Sequence, residues 1–356
     1  MLPNLEKVPK MIEKLSIKPV YDTNWCDMPK NVKLLCIDSL ELKPRLSLRC
    51  TAKAERSLVD SQKFDFYEGH FMGGSDHQIL ELHPEDGRKY SKMFGNPTEA
   101  FKLMKFIWKI GVFKNLYISL KGPAAKKEFK GYDGLFKAEK VNFDGSDNEI
   151  VATVLRKMKQ GVESITIEAN EPKDFPFDQI LEMSPVHNSR YWHVQNYEET
   201  DSLYKVAQIW IDKSSKIGST FQVAIYNDGS FDKFLEHLDD RIVSKNEKRA
   251  RIRTNKPDRH ILLERGLDEV VGIDDFPQYF RLKVISAKMK ESEYDDGCKE
   301  WISKIDSECY EESDSEDFFS FERIANSHGF YHHYDDDKYF RDYGVIIEHR
   351  RDDDLN

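Results

Sequence analysis

Between Thr98 and Ile285 the chain alternates helix-like runs with short extended ones, and the extended runs recur roughly every 25 to 30 residues. This alternation restricts the fold more than any other feature. The extended runs are LYISL (116–120), KVNF (140–143), SITIE (164–168), YWHVQ (191–195), TFQVAIY (220–226), RARIR (249–253) and FRLKVI (280–285). Between them, apolar residues fall at helical spacing: Ala100, Phe101, Met104, Ile107 and Trp108; Ile150, Val151, Val154, Leu155 and Met158; Ile180 and Leu181; Leu203, Val206, Ala207 and Trp210; Phe231, Phe234, Leu235, Leu238 and Ile242. Repeated β and α elements at this period point to an open, leucine-rich-repeat-like α/β solenoid, with strands on one side and helices on the other. A doubly wound nucleotide-binding sheet is the competing architecture. Two features disfavour it: no strand-to-helix turn carries GxGxxG or GxxxxGK[ST], and the strands alternate apolar with polar residues instead of being apolar throughout.

Period-two alternation assigns faces. With Ile118, Val141, Ile165, Trp192, Val223, Ile252 and Leu282 turned inward, the open face receives Tyr117, Ser119, Lys140, Asn142, Thr166, Tyr191, His193, Gln222, Arg251, Arg253, Arg281 and Lys283. Tyr117, Tyr191, His193, Arg251, Arg253 and Arg281 are the candidate target-binding residues, their arginine-rich end suited to acidic groups of a partner protein. An ordinary solvated sheet face carries the same pattern.

The second informative block is Trp25 to Val59. Asp27 and Pro29 suit a helix start near Met28, with Val32, Leu35, Cys36 and Leu40 on one face and Leu34 and Ile37 elsewhere. A second helix is expected near Pro44 with Leu46, Leu48 and Cys50, and a third through Ala54, Leu58 and Val59. Three short helices bury little surface alone, which favours docking onto another protein; a helical cap on the chain's own core is the plain alternative. At Met28-Pro29, Val32, Cys36, Ile37, Leu40, Leu42, Leu46-Ser47-Leu48 and Cys50 the sequence resembles the F-box. With WCDMP, RLSLRCTAKAER and WIDKSSKIGSTFQV (210–223), it is similar to the nematode group that couples an F-box to an FTH-type domain. Met28 stands where that family has Leu, and no Trp follows Cys50.

The resemblance implies a substrate-recognition subunit of an SCF-type cullin-RING ubiquitin ligase, without catalytic residues or cofactor. Met28, Pro29, Val32, Ile37, Leu40, Leu46 and Leu48 would bind a Skp-type adaptor, which links to a cullin, while the repeat domain holds a target of unknown identity. The implied division is an N-terminal helical lead (1–22), F-box (23–66), connector (67–97) with a strand near 79–82, FTH-type α/β domain (98–290), and acidic tail (291–356) with a terminal strand near 343–348. A ubiquitin-independent interaction scaffold and an α/β enzyme are the alternatives from other classes.

Composition narrows the partners. A formal charge of -10 disfavours general attraction to nucleic acid or membranes. The one basic cluster, 245–259, contains no aromatic residue for base stacking. Cys26, Cys36, Cys50, Cys298 and Cys309 form no CxxC pair, as expected of a protein in the cytoplasm or nucleus. No run is long enough to span a bilayer. His332 and His333, beside Asp335 to Asp337, point to opposite faces of an extended segment, so no metal site is expected there. Trp108, Trp210 and Trp301 sit in apolar helical patterns, as core residues do.

Overall fold

The computed structural model describes residues 24–74, 77–85, 87–225, 229–266 and 278–294. The expected lead helix, Cys298, Cys309, Trp301, His332, His333 and the tail beyond Tyr294 lie outside them. Two compact units divide between Gln62 and Lys63.

The first unit contains helices α1 (Lys30–Asp38), α2 (Leu42–Arg49) and α3 (Lys53–Ser61), preceded by a 3₁₀ turn (Trp25–Asp27). Asp27 does not cap α1: it lies in that turn, which Asn24 caps instead through Cys26 N at 3.2 Å. Helix α1 follows Pro29, which stands at its N-cap and makes no side-chain hydrogen bond to the first turn. At the other end of α1 the Arg45 guanidinium donates to Asp38 O at 2.6 Å and Leu40 O at 2.8 Å, satisfying carbonyls that the helix leaves without partners. Arg49 pairs with Asp60 at 2.6 Å, tying α2 to α3.

The second unit is mixed α/β, built on one open sheet of twelve strands among the described residues. In chain order these are β1 (Phe64–Gly73), β2 (Gln78–Pro84), β3 (Tyr90–Phe94), β4 (Gly111–Leu120), β5 (Ala138–Phe143), β6 (Ser164–Glu168), β7 (Tyr191–Tyr197), β8 (Thr220–Ile225), β9 (Ile242–Lys245), β10 (Arg249–Arg253), β11 (Arg259–Arg265) and β12 (Gln278–Ser286). The helices are α4 (Pro97–Ile110), α5 (Pro123–Lys130), α6 (Asn148–Arg156), α7 (Phe177–Leu181), α8 (Ser184–Asn188), α9 (Ser202–Lys213) and α10 (Ser230–His237). Spatial order is β3-β2-β1-β4-β5-β6-β7-β8-β12-β11-β10-β9. The run β1-β4-β5-β6-β7-β8 is parallel; every other pairing is antiparallel.

The parallel strands never reverse their direction of advance. Because such crossovers are right-handed, each connecting helix falls on the same side of the sheet. Contacts between successive helices agree: Lys205 of α9 reaches Asp178 of α7 at 2.7 Å, and α5 packs against α6. A doubly wound sheet needs a reversal point among its parallel strands, and the parallel run β1-β4-β5-β6-β7-β8 has none. The core lies between helices and sheet, where Phe101, Met104, Trp108, Ile118, Phe143, Val154, Ile165, Trp192, Val206, Phe221 and Leu282 are buried.

Further expectations are corrected. Residues 67–97 are not a connector: they carry most of an antiparallel meander, β1 to β3, whose buried Phe66, Phe71, Leu80 and Leu82 belong to the sheet's apolar face. Interleaved Tyr, Glu and His obscure that face in the sequence. Ile242 does not extend α10, which ends at His237; it opens β9 instead. The alternation of strand and helix also stops after α10, since β9 to β12 form an antiparallel meander, with RHILLER (259–265) a strand that the charged residues around it concealed. Trp108 is buried, as expected, whereas Trp210 is only half-buried.

Candidate functional site

Two surfaces hold the sequence-derived candidates. On the helical unit, only Ile37, Leu42 and Val59 are buried among the apolar side chains of α1 to α3. Val32 is 37 % exposed and Leu35 71 % exposed, one turn apart on α1. Pro29 is exposed, and Met28, Leu40, Leu46 and Leu48 are half-buried. Ile37 is fully buried, so it cannot be a docking contact. Leu35, which the sequence places on the same face as Val32, is the more exposed of the two.

The second surface is the sheet face opposite the helices. Cross-strand register joins one residue from each of eleven strands into a row: Ser91, Glu81, His70, Tyr117, Asn142, Thr166, His193, Gln222, Arg281, Glu264 and Arg249. Every member is polar. A neighbouring row contains Glu68, Asn115, Lys140, Ser164, Tyr191, Thr220 and Lys283. Tyr117, Tyr191, His193 and Arg281 therefore share the face that alternation assigned to them.

Burial splits this face. From β1 to β6 the row is accessible, with His70, Tyr117, Asn142 and Thr166 half-buried. From β7 onward it closes: His193, Gln222, Arg281 and Glu264 are all under 8 % exposed. Glu264 accepts from Arg249 at 2.9 Å and from Arg281 at 2.8 Å, an Arg–Glu–Arg bridge across three strands. Tyr191 donates its hydroxyl to Gln222, and burial pushes that phenol up to about 12. Burial pushes the His193 imidazole down to about 4.

Arg251 is likewise occupied. Its guanidinium donates to Met289 O and Ala287 O at 2.8 Å each, to the Tyr294 hydroxyl at 3.1 Å and to His260 Nδ1 at 2.8 Å, fastening the segment after β12 against β10. Burial, and then the charges of Arg251 and Arg253, lower the His260 pKa, which keeps Nδ1 able to accept. Arg251 and Arg281 are thus internal fastenings, not an arginine surface for acidic partners. Arg253 alone of the three is exposed, donating to Asp240 O at 3.3 Å.

At the far end of the accessible half, Glu68 and His70 of β1 face His83 of β2. His70 Nε2 lies 3.4 Å from Glu68 Oε2, and the His70 ring stacks on Tyr117 with centroids 4.4 Å apart and planes 4° apart. The sequence alone does not disclose this cluster, because the bulge in β1 breaks the alternation that would place Glu68 and His70 on one face with His83.

No helix among the described residues is long and apolar enough to cross a membrane. No protein-family model matches the chain, and none of the curated proteins matches it.

Proposed function

We propose that the chain is a substrate-recognition subunit of an SCF-type cullin-RING ubiquitin ligase, with an F-box in the first unit and a solenoid-like target-binding sheet in the second. The observation that carries this reading is the uncovered apolar pair on α1. Val32 and Leu35 stand exposed on a unit with three buried apolar side chains, and burying a leucine against a partner contributes about 2 kcal/mol. Such a pair, in which Val32 is one of the positions where the sequence resembles the adaptor-binding motif and Leu35 lies one turn from it, fits completion by a Skp-type adaptor. Pro29, Val32, Leu35 and Leu40 are the proposed contacts; Met28, Leu46 and Leu48 border them.

The target is assigned to the accessible half of the open face, around Tyr117, Asn142 and Thr166, with Tyr191 at its edge. Tyrosine supplies contact area with few rotamers to freeze, and the surrounding amides and hydroxyls supply hydrogen bonds. The chain contributes proximity: it raises the local concentration of an acceptor lysine near a charged conjugating enzyme bound elsewhere in the assembly.

Co-purification tests the adaptor contact. Leu35→Asp places a charge in the proposed interface and should weaken Skp-type adaptor capture roughly 30-fold or more, since about 2 kcal/mol of burial is lost. Its circular dichroism should be unchanged, because Leu35 has no role in the unit's interior. Undiminished capture by a folded Leu35→Asp variant would refute the assignment, and a chain that captures no adaptor at all would favour a ubiquitin-independent scaffold.

A further inference from the structure

We propose that Glu68, His70 and His83 form a binding site for one divalent transition-metal ion of the zinc class. This inference goes beyond the ligase reading and does not depend on it. The three residues offer two imidazole nitrogens and a carboxylate oxygen, a donor set that suits zinc and leaves a fourth position for water or an incoming ligand. Their donor atoms lie within 4.8 Å of one another. In a tetrahedral zinc site neighbouring donors stand about 3.3 Å apart. His70 Nε2 and Glu68 Oε2 are already separated by 3.4 Å. The remaining closure of about 1.5 Å is within reach of side-chain rotation, with no movement of the strands.

Backbone geometry explains how the three come together. Residues two apart on a regular strand share a face, so Phe66 and Glu68 would both point inward. Instead the β1–β2 register shifts between Phe66 and Glu68: Phe66 pairs with Pro84, and Glu68 pairs with His83. This bulge keeps Phe66 in the core and turns Glu68 and His70 to the open face beside His83. The β1–β4 register holds through the same point, with Phe113 and then Leu116 buried alongside.

The ring of His70 is held by its stack on Tyr117, which fixes the direction of its nitrogens before any ion arrives. The His70 and His83 ring planes are tilted by 59°, as two ligands converging from adjacent strands require, not stacked. Glu81, opposite His70 in register, is engaged by Lys89 at 3.0 Å and Ser91 at 3.1 Å, so it is not counted as a ligand. All three proposed ligands are half-buried, which gives an ion a path from solvent.

The full chain, freed of metal by chelator and dialysed, should be titrated with zinc against a chromophoric chelator, and with cobalt(II) monitored by visible absorption. One zinc equivalent should bind, and cobalt should give the intense d–d bands of a four-coordinate site. His83→Asn and Glu68→Gln should each weaken zinc binding at least about tenfold and reduce the cobalt bands, with far-ultraviolet circular dichroism unchanged. The two substitutions sit on different strands, so both are read only where the fold is retained, and either folded variant suffices. Zinc bound equally well by a folded variant places the metal elsewhere, for example at His332 and His333, and overturns the proposal. Absence of stoichiometric binding by the wild-type chain overturns it as well.

Discussion

Glu264 is nearly inaccessible to solvent at 2 % and is held between two guanidinium groups. Removing the charge from one member of a buried ionic set leaves the others desolvated without compensation, at a cost of about 3–5 kcal/mol. Glu264→Gln should therefore lower the urea midpoint sharply, whereas Arg253→Glu, at an exposed position, should change it little. His193 gives a second residue-scale test. Its folded pKa, about 4, lies below the unfolded value of about 6.5, so its contribution is fully present above pH 6.5 and is lost as pH falls toward 4. Between pH 7.5 and pH 5 the loss should be about 2 kcal/mol, and His193→Gln should flatten that slope in urea titrations at the two pH values. His260, lowered in the same direction, adds to the slope. Strand alternation was sufficient to place His193, Arg251 and Arg281 on the open face. It was blind to their burial, because period two reports direction and says nothing of whether long polar side chains close over one another.

At the scale of elements, the bulge in β1 matters most. It reverses which residues face the core, and it is coupled to a close approach: a Cβ on Gly69 would collide with the ring of Phe113 and would also meet Phe71 at 3.4 Å. Phe113 in turn stacks on Phe66 with centroids 5.2 Å apart. Gly69→Val should therefore overpack this aromatic cluster and cost about 1–3 kcal/mol, read as a lower melting temperature. The bulge also explains why β1 escaped sequence reading. A strand whose inward residues run Phe64, Phe66, Gly69, Phe71 breaks the alternation used to detect strands. Helices α4, α6, α9 and α10 were legible for the opposite reason, whereas the short α5 and α8 carry no apolar stripe long enough to read. In α4 a capping Asn96 bonded to Thr98 N at 2.9 Å, Pro97 in the first turn and an uninterrupted apolar stripe all agree. Helices α1 to α3 were legible as helices, but which apolar residues remain uncovered depends on how they pack. That is why the burial of Ile37 and the exposure of Leu35 are read from the structure and not from the sequence.

For the whole molecule, the sheet combines a parallel block that advances in one direction with antiparallel meanders on both flanks. Its edges are guarded in familiar ways: β9 is four residues long and ends at Lys245, and β3 carries a lysine, Lys92. The alternation from Thr98 onward disclosed the parallel strands β4 to β8, since each repeat is local in sequence. The flanking meanders include charged segments such as RHILLER (259–265), where no period-two alternation survives. Functionally the molecule divides into a helical unit proposed to join the ligase and a sheet proposed to hold the target. The most direct measurement of that division is the mass of the species formed when the purified chain is mixed with a Skp-type adaptor, determined by size-exclusion chromatography with light scattering. A one-to-one complex for the wild-type chain, reduced to separate components by Leu35→Asp, is the expected result. Separate components for the folded wild-type chain, or a complex indifferent to Leu35, would contradict it.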